Sequence, residues 1–207
     1  MSRFVDVRFL VSAAAPGQFP ADEGTEVAFA GRSNAGKSSA INAIAQRRSL
    51  ARTSKLPGRT RLLNFFELMP RGRIVDLPGY GYARVPESER RSWAPLMEAL
   101  HARRSLYGLF LIVDARRGIS EADEEVIAWS DPRQRRVHVL LAKVDKLTRS
   151  AASQALATAS RQLGGKVSVQ LFSAHAGAGI AQAQETLAAW LSDKKTPVTS
   201  NEVTGAD

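Results

Sequence analysis

The segment Gly31-Arg32-Ser33-Asn34-Ala35-Gly36-Lys37-Ser38 follows the apolar run Val27–Ala30 and opens an amphipathic stretch. The segment matches the P-loop pattern, which is a glycine, any four residues and then Gly-Lys-Ser. In such a loop, backbone N–H groups surround phosphate oxygens. The pattern predicts that Lys37 neutralises phosphate charge and that the Ser38 hydroxyl ligates Mg²⁺. A chance match in a chain of this length is on the order of one per cent, given the average abundance of glycine. A glycine turn with an incidental lysine is the alternative, but a strand before the loop and a helix after it favour phosphate binding.

A second motif, Asp76-Leu77-Pro78-Gly79, closes the predicted strand Arg73–Asp76. In nucleoside triphosphatases with this Asp-x-x-Gly pattern, the aspartate holds Mg²⁺ through a water molecule and the glycine amide approaches the γ-phosphate. Lys37 and Gly79 are therefore candidate catalytic residues, and Asp76 joins Ser38 as a candidate metal ligand. Alone the pattern is common, and a strand-ending turn would explain it. Its position after the P-loop favours the phosphate-sensing interpretation.

A third motif, Ala142-Lys143-Val144-Asp145, follows the apolar run Val137–Leu141. A carboxylate accepts two hydrogen bonds from the N1–H and exocyclic amine of guanine, and adenine offers no such donor pair. Asp145 is therefore predicted to select guanine, with Lys143 along the base plane and backbone amides of Phe172-Ser173-Ala174 at the guanine carbonyl. Each short motif is weak evidence alone. Their order, each at a strand end, predicts GTP and GDP as ligands.

The chain alternates apolar runs with longer amphipathic stretches, which predicts an α/β fold with helices on both faces of a sheet. The predicted strands are Glu26–Ala30, Leu62–Leu68, Arg73–Asp76, Leu106–Asp114, Arg136–Ala142 and Lys166–Phe172. The predicted helices are Lys37–Gln46, Glu87–Arg104, Glu121–Ser130, Ser150–Leu163 and Gly179–Ser192. The turn Met69–Gly72 predicts a hairpin, so one strand runs antiparallel in a mixed, mostly parallel sheet. An N-terminal strand at Phe4–Val11 is more weakly indicated and would bring the count from six to seven.

We expect one nucleotide-binding domain over residues 1–192 and a disordered tail over residues 193–207, which lacks apolar periodicity. The polar, basic segment 52–60 is also expected to be poorly ordered in isolation.

The amino-acid composition indicates which cellular environment and which binding partners to expect. The 207 residues carry a formal net charge of +9 and include no cysteine, which excludes disulfides and thiol chemistry. Arginine pairs such as Arg103-Arg104 and Arg135-Arg136 contribute much of the charge. Such a surface attracts polyanions, although a simple solvated shell is an equally open interpretation. No window approaches the ~20 apolar residues that span a bilayer, so we expect no membrane span and a cytoplasmic location.

These motifs resemble those of the translation-factor class of P-loop GTPases and, within it, the EngB family of bacterial ribosome-assembly GTP-binding proteins. The closer resemblance rests on the runs Gln18–Pro20, Val27–Ser39, Pro57–Phe66, Val75–Ala83 and Phe172–Ala174. The run Asp76-Leu-Pro-Gly-Tyr-Gly-Tyr-Ala83 is especially discriminating. The resemblance covers about residues 4–190 and implies the P-loop GTPase fold.

The resemblance also implies roles that spacing alone does not. Thr60 would be the switch threonine that completes the Mg²⁺ shell and takes part in catalysis. Its neighbours would contribute to the nucleotide site, namely Gly58, Arg59, Arg61 and Leu62. The implied partners are a large ribosomal subunit precursor and its rRNA, with no DNA, and the implied process extends to cell division and septation. We expect a monomer.

Three positions affect the expected chemistry. Tyr80 stands where many related GTPases have a water-orienting glutamine, which predicts slow intrinsic GTP hydrolysis that a partner accelerates. Ala142 stands where the family usually has asparagine or threonine, so it cannot donate the side-chain hydrogen bond that ties the base motif to the P-loop. Nucleotide affinity is then expected to be modest. Asn34 either helps to bind K⁺ beside the phosphates, as in potassium-activated GTPases, or only caps the loop.

Three functions remain open from the sequence. The first is a GTP-driven switch on a ribosomal precursor. The second is an RNA-binding module whose nucleotide only stabilises the fold. The third is a P-loop ATPase or kinase, which would require tolerance of adenine. Tyr80, Tyr82 and Arg84 would form either a partner surface or ordinary aromatic packing.

Overall fold

The computed structural model describes residues 6–51, 62–68, 72–80, 87–130, 135–165 and 167–193, with the side chains of 87–93 excepted. The strands in this part of the chain are β1 (Val7–Ala13), β2 (Thr25–Gly31), β3 (Leu63–Leu68), β4 (Gly72–Asp76), β5 (Leu106–Asp114), β6 (Arg136–Ala142) and β7 (Ser168–Leu171). The α-helices are α1 (Lys37–Ile44), α2 (Glu87–Ala102), α3 (Glu121–Ser130), α4 (Arg149–Gln162) and α5 (Ile180–Ser192). All elements predicted from the sequence are present, with small differences at their ends.

The strands form one seven-stranded sheet in the order β1-β3-β4-β2-β5-β6-β7. β3 is antiparallel to both β1 and β4, and the remaining neighbours are parallel. The mixed, mostly parallel sheet and its single reversed strand are therefore confirmed. The weakly indicated N-terminal strand is confirmed as β1, and it continues to Ala13 because its pairing with β3 extends through Ser12 and Ala13. Ser12 also donates a side-chain hydrogen bond to Asn64 across this pair.

Two helices end two residues earlier than predicted. α1 stops at Ile44 rather than Gln46, whose backbone takes the left-handed φ of 53°. α2 stops at Ala102 rather than Arg104. Arg103 leaves the helix, and its guanidinium binds the buried Glu26. The sequence pattern could not signal this long-range contact.

Apolar layers cover both faces of the sheet, as the alternating pattern predicts. On one face α1 and α5 pack on Phe29 and Phe110, whose rings stack with centroids 5.0 Å apart. Trp190 of α5 belongs to this layer. On the other face α2, α3 and α4 cover residues such as Phe65 and Leu111.

A buried ion cluster anchors the amino end of β2. Glu26 is fully buried, and its carboxylate accepts hydrogen bonds from Arg103 at 2.6 and 2.8 Å, from Arg73 at 2.9 Å and from Ser105 at 2.9 Å. A buried carboxylate is tolerated when its charge and lone pairs are satisfied in this way. The cluster joins β2, β4 and the segment after α2 at the end of the sheet opposite the carboxyl ends of its parallel strands. Those carboxyl ends carry the predicted site, as expected for open parallel sheets.

Candidate nucleotide-binding site

The P-loop joins the central strand β2 to α1 through a backbone that only particular residues allow. A Cβ on Gly31 would lie 2.7 Å from the backbone oxygen of Ile112 in β5. Gly36 has a φ of +112° at the point where α1 begins, and Asn34 has a φ of +64°. Ala35 N–H donates to the Arg32 carbonyl at 2.9 Å, which closes the turn. The loop therefore presents the N-terminus of α1 beside Lys37 and Ser38, an arrangement suited to an anion.

The Asp76–Gly79 motif lies directly against the P-loop. Lys37 donates a hydrogen bond to the Asp76 carboxylate at the end of β4. A Cβ on Gly79 would lie 2.9 Å from Ser33 Oγ and 3.3 Å from Ser33 Cα. Ser33 N–H also donates to the Tyr80 carbonyl at 2.9 Å. Leu77 is buried and Pro78 is half-buried within this loop. The structure thus brings together two motifs that are about forty residues apart in the sequence.

The base motif and the Phe172–Ala174 loop meet at the next strand ends. Ser173 Oγ donates a 2.6 Å hydrogen bond to Asp145 Oδ1, and Val144 N–H donates to the Phe172 carbonyl at 3.3 Å. The hydrogen bond from Ser173 lowers the pKa of the Asp145 carboxyl below its usual value. Asp145 is therefore held in place as a charged acceptor, which is the form that guanine recognition requires.

A cleft of about 730 Å³ lies between the end of the P-loop at Gly36 and the base motif Ala142–Asp145. The predicted residues that line it are Gly36, Ala142, Lys143, Asp145, Phe172 and Ala174. Its size falls within the usual range for small-molecule and cofactor sites. The cleft also includes the outward side of α1 and the following Arg47 and Arg48, which the sequence did not assign to the site.

Some predicted residues contribute less or cannot be placed. Leu62 lies immediately before β3 and is half-buried. Gly58, Arg59, Thr60 and Arg61 lie outside the described residues, so their assignment to the nucleotide site stays a prediction.

Tyr80 is packed rather than exposed. Its hydroxyl donates to Asp123 Oδ1 at 2.6 Å, and the other oxygen of Asp123 accepts from Ser120 N and Oγ at 2.9 and 2.6 Å. Burial and the Asp123 carboxylate raise the pKa of Tyr80 well above its usual value. Of the two interpretations for this side chain, the structure favours packing, whereas Tyr82 and Arg84 lie outside the described residues.

Asp114, at the carboxyl end of β5, is a site residue that the sequence analysis did not assign. Its carboxylate lies 3.0 Å from the Lys143 ammonium and also accepts from Arg116. The available signal was its position, because it closes an apolar strand as Asp76 does.

The P-loop at the central strand, the Asp-x-x-Gly loop packed on it and the Lys-x-Asp loop at the adjoining strand ends define the fold of a P-loop GTPase. Residues 26–143 match the family described as 50S ribosome-binding GTPase. The probable GTP-binding protein EngB of Aromatoleum aromaticum is 50% identical over 195 residues, which covers 92% of this chain and 90% of that protein. The chain belongs to the EngB family of GTP-binding proteins, which are GTPases.

Solved structures give the same fold. A crystal structure of a probable GTP-binding protein EngB aligns with a TM-score of 0.66 at 21% identity, covering 82% of this chain and all of that chain. Era in complex with MgGDPNP and nucleotides 1506–1542 of 16S ribosomal RNA aligns with a TM-score of 0.62 at 20% identity, covering 84% of this chain and 59% of that chain.

The close approach of Gly79 to Ser33 makes a sharp prediction. Gly79→Ala should push the P-loop out of place at a cost of about 1–3 kcal/mol, the usual range for overpacking. GTP affinity should then fall by about 5- to 150-fold, as measured by fluorescent-nucleotide titration. Gly17→Ala is the matched control, because a Cβ there meets nothing within 4 Å. Equal affinities for the two variants would contradict the packing argument.

Proposed function

We propose that this chain is a GTP-driven molecular switch that binds a large ribosomal subunit precursor in its GTP form and leaves it after slow hydrolysis. The carrying observation is the contact of Gly79 and Tyr80 with Ser33 of the P-loop. If the Gly79 amide binds the γ-phosphate, loss of that phosphate would shift Gly79 and the adjacent Tyr80. The hydroxyl of Tyr80 donates to Asp123 in α3. Loss of the γ-phosphate would therefore alter a surface beyond the nucleotide site.

Three observations support a ribosomal partner. The net charge of +9 favours a polyanion. The matching family is described as ribosome-binding, and the structurally similar Era binds a segment of ribosomal RNA. We extend the proposal, on family resemblance, to rRNA contact without DNA, to a role in cell division and septation, and to a cytoplasmic monomer. In the described residues no helix has the length and apolar character needed to cross a bilayer.

Mg²⁺ fits the donor groups at the phosphate end. Ser38 follows Lys37 in the first turn of α1, and Asp76 contacts Lys37. Mg²⁺ is commonly held by one or two protein oxygens together with substrate phosphates. Within the described ranges no cluster of three or more His, Cys, Asp or Glu could hold a metal alone. We therefore assign Mg²⁺ to the bound nucleotide, with Ser38, Thr60 and, through water, Asp76 as protein contacts; when bound it would neutralise phosphate charge.

The remaining catalytic roles belong to groups of the chain itself. Lys37 would balance charge on the transferred phosphate, and the Gly79 amide would donate a hydrogen bond to it. Tyr80 cannot orient the attacking water as a glutamine does. An amide has a donor nitrogen and a separate acceptor oxygen, whereas a phenol has only one oxygen for both roles. The Tyr80 hydroxyl is also engaged by Asp123 at 2.6 Å. We therefore propose slow intrinsic hydrolysis that a partner stimulates, with K⁺ beside Asn34 as a further activating ion.

Hydrolysis should be slow and sensitive to the monovalent cation. The isolated protein should turn over GTP more slowly than about 1 s⁻¹, at the low end of enzyme rates, in a phosphate-release assay. The rate should be higher in K⁺ than in Na⁺, and Asn34→Ala should remove the difference. Turnover faster than this limit would contradict the slow switch, and equal rates in the two salts would remove the role of K⁺.

Ribosome binding should depend on the nucleotide. Co-sedimentation with large ribosomal subunits should be at least tenfold tighter with a non-hydrolysable GTP analogue than with GDP. Affinity should fall steeply with salt in both states, because phosphate contacts release counterions. Small subunits provide the matched control for non-specific polyanion binding. Binding that is equal with both nucleotides would favour the RNA-binding module over the switch.

A further inference from the structure

Asp114 holds a position between three parts of the nucleotide site. It is the last residue of β5 and is 7% exposed. Its carboxylate lies 3.0 Å from Lys143 Nζ and accepts from Arg116 Nη2 at 2.6 Å, from Arg116 Nε at 2.9 Å and from Arg116 N–H at 3.1 Å. The Arg116 guanidinium first, and the Lys143 ammonium second, hold the pKa of the Asp114 carboxyl far below its usual range. The Asp114 carboxylate is therefore charged at neutral pH.

The same Lys143 ammonium also donates to the backbone carbonyl of Asn34 in the P-loop. The lysine stem lies along this loop, since Lys143 Cε is 3.8 Å from the place a Cβ on Gly36 would occupy. The backbone of Lys143 is in the left-handed region, with a φ of 64°. Asp114, Lys143 and Asn34 therefore form a continuous polar link from β5 through the base loop to the P-loop.

Ala142 explains why this link matters in this chain. Its methyl group lies 3.9 Å from the Cβ position of Gly36, so it faces the P-loop closely but can donate no hydrogen bond. In this chain the ammonium of Lys143 makes a tie between the base loop and the P-loop.

We propose that Asp114 is a positioning residue that fixes the Lys143 ammonium against the P-loop, at a place where the Ala142 side chain can make no hydrogen bond to that loop. This proposal rests on the assignment of Lys143 and Asp145 to guanine binding. A lysine ammonium on a flexible stem is otherwise free to turn toward phosphates or solvent. With Asp114 on one side and the Asn34 carbonyl on the other, the base loop keeps its distance from the P-loop, and Asp145 keeps its place beside the base.

The test measures the dissociation rate of fluorescently labelled GDP by stopped flow. Asp114→Asn keeps the shape of the side chain but removes its charge, and dissociation should become about tenfold faster, the loss expected for one charge-assisted hydrogen bond. Arg116→Ala removes the other partner of Asp114 and should change the rate less than about threefold. If Asp114 acted only by ordering its own loop through Arg116, the two variants would behave alike, which would overturn the proposal.

A rescue experiment separates positioning from general structural damage. Ala142→Asn places an amide donor close to the P-loop, so it should return the Asp114→Asn variant to within about threefold of the wild-type rate. If Asp114→Asn does not fold, Asp114→Ser removes the charge with a smaller side chain and should show the same acceleration and the same rescue. Failure of the rescue, or faster dissociation caused by Ala142→Asn alone, would contradict the proposal. Absence of GDP binding to the wild-type protein would instead refute the proposed nucleotide site itself.

Discussion

The site depends on how closely the P-loop packs on the ends of its neighbouring strands. Gly31 leaves no room for a Cβ beside Ile112 of β5, and Gly79 leaves none beside Ser33. At Gly31 the added Cβ would meet the backbone oxygen of Ile112, and at Gly79 it would meet Ser33 Oγ first and Ser33 Cα next. A loop that surrounds phosphates needs support from other parts of the chain, because N–H groups that bind the ligand cannot also hold the loop in place. The neighbouring strand ends provide that support, and they also carry the groups that would respond to the nucleotide.

The two ends of the sheet serve different purposes. At the amino end of β2, Glu26 gathers Arg73, Arg103 and Ser105 into a buried, fully paired cluster. At the carboxyl end, Lys37 pairs with Asp76 and Lys143 pairs with Asp114 across separate loops. The Lys37–Asp76 pair can exchange partners when an anion with many oxygens arrives, whereas the buried cluster has no such competitor. A sheet that is fixed at the amino end of β2 and can rearrange at the carboxyl ends of its parallel strands suits a switch.

The sequence was sufficient for the fold and for the phosphate and base loops, because strand-to-loop-to-helix order and glycine spacing are local signals. It was insufficient where contacts between distant residues decide. The end of α2 depends on Arg103 reaching Glu26, and the packing of Tyr80 depends on Asp123 in α3. Asp114 went unassigned because its partner Lys143 follows it by 29 residues. The role of Thr60 remains a prediction, since that residue lies outside the described part of the chain.

The central claim is that Asp145, held by Ser173, selects guanine for a nucleotide whose phosphates lie on the P-loop. Calorimetric titration in Mg²⁺ buffer with GDP, ADP and xanthosine diphosphate tests it directly. Xanthine has a carbonyl where guanine has its amine, so the amide of Asp145→Asn can donate where the carboxylate only accepts. The account predicts that the wild type binds GDP alone and that Asp145→Asn prefers xanthosine diphosphate. No heat with GDP for the folded wild type, comparable binding of ADP, or an unchanged preference in the variant would contradict it.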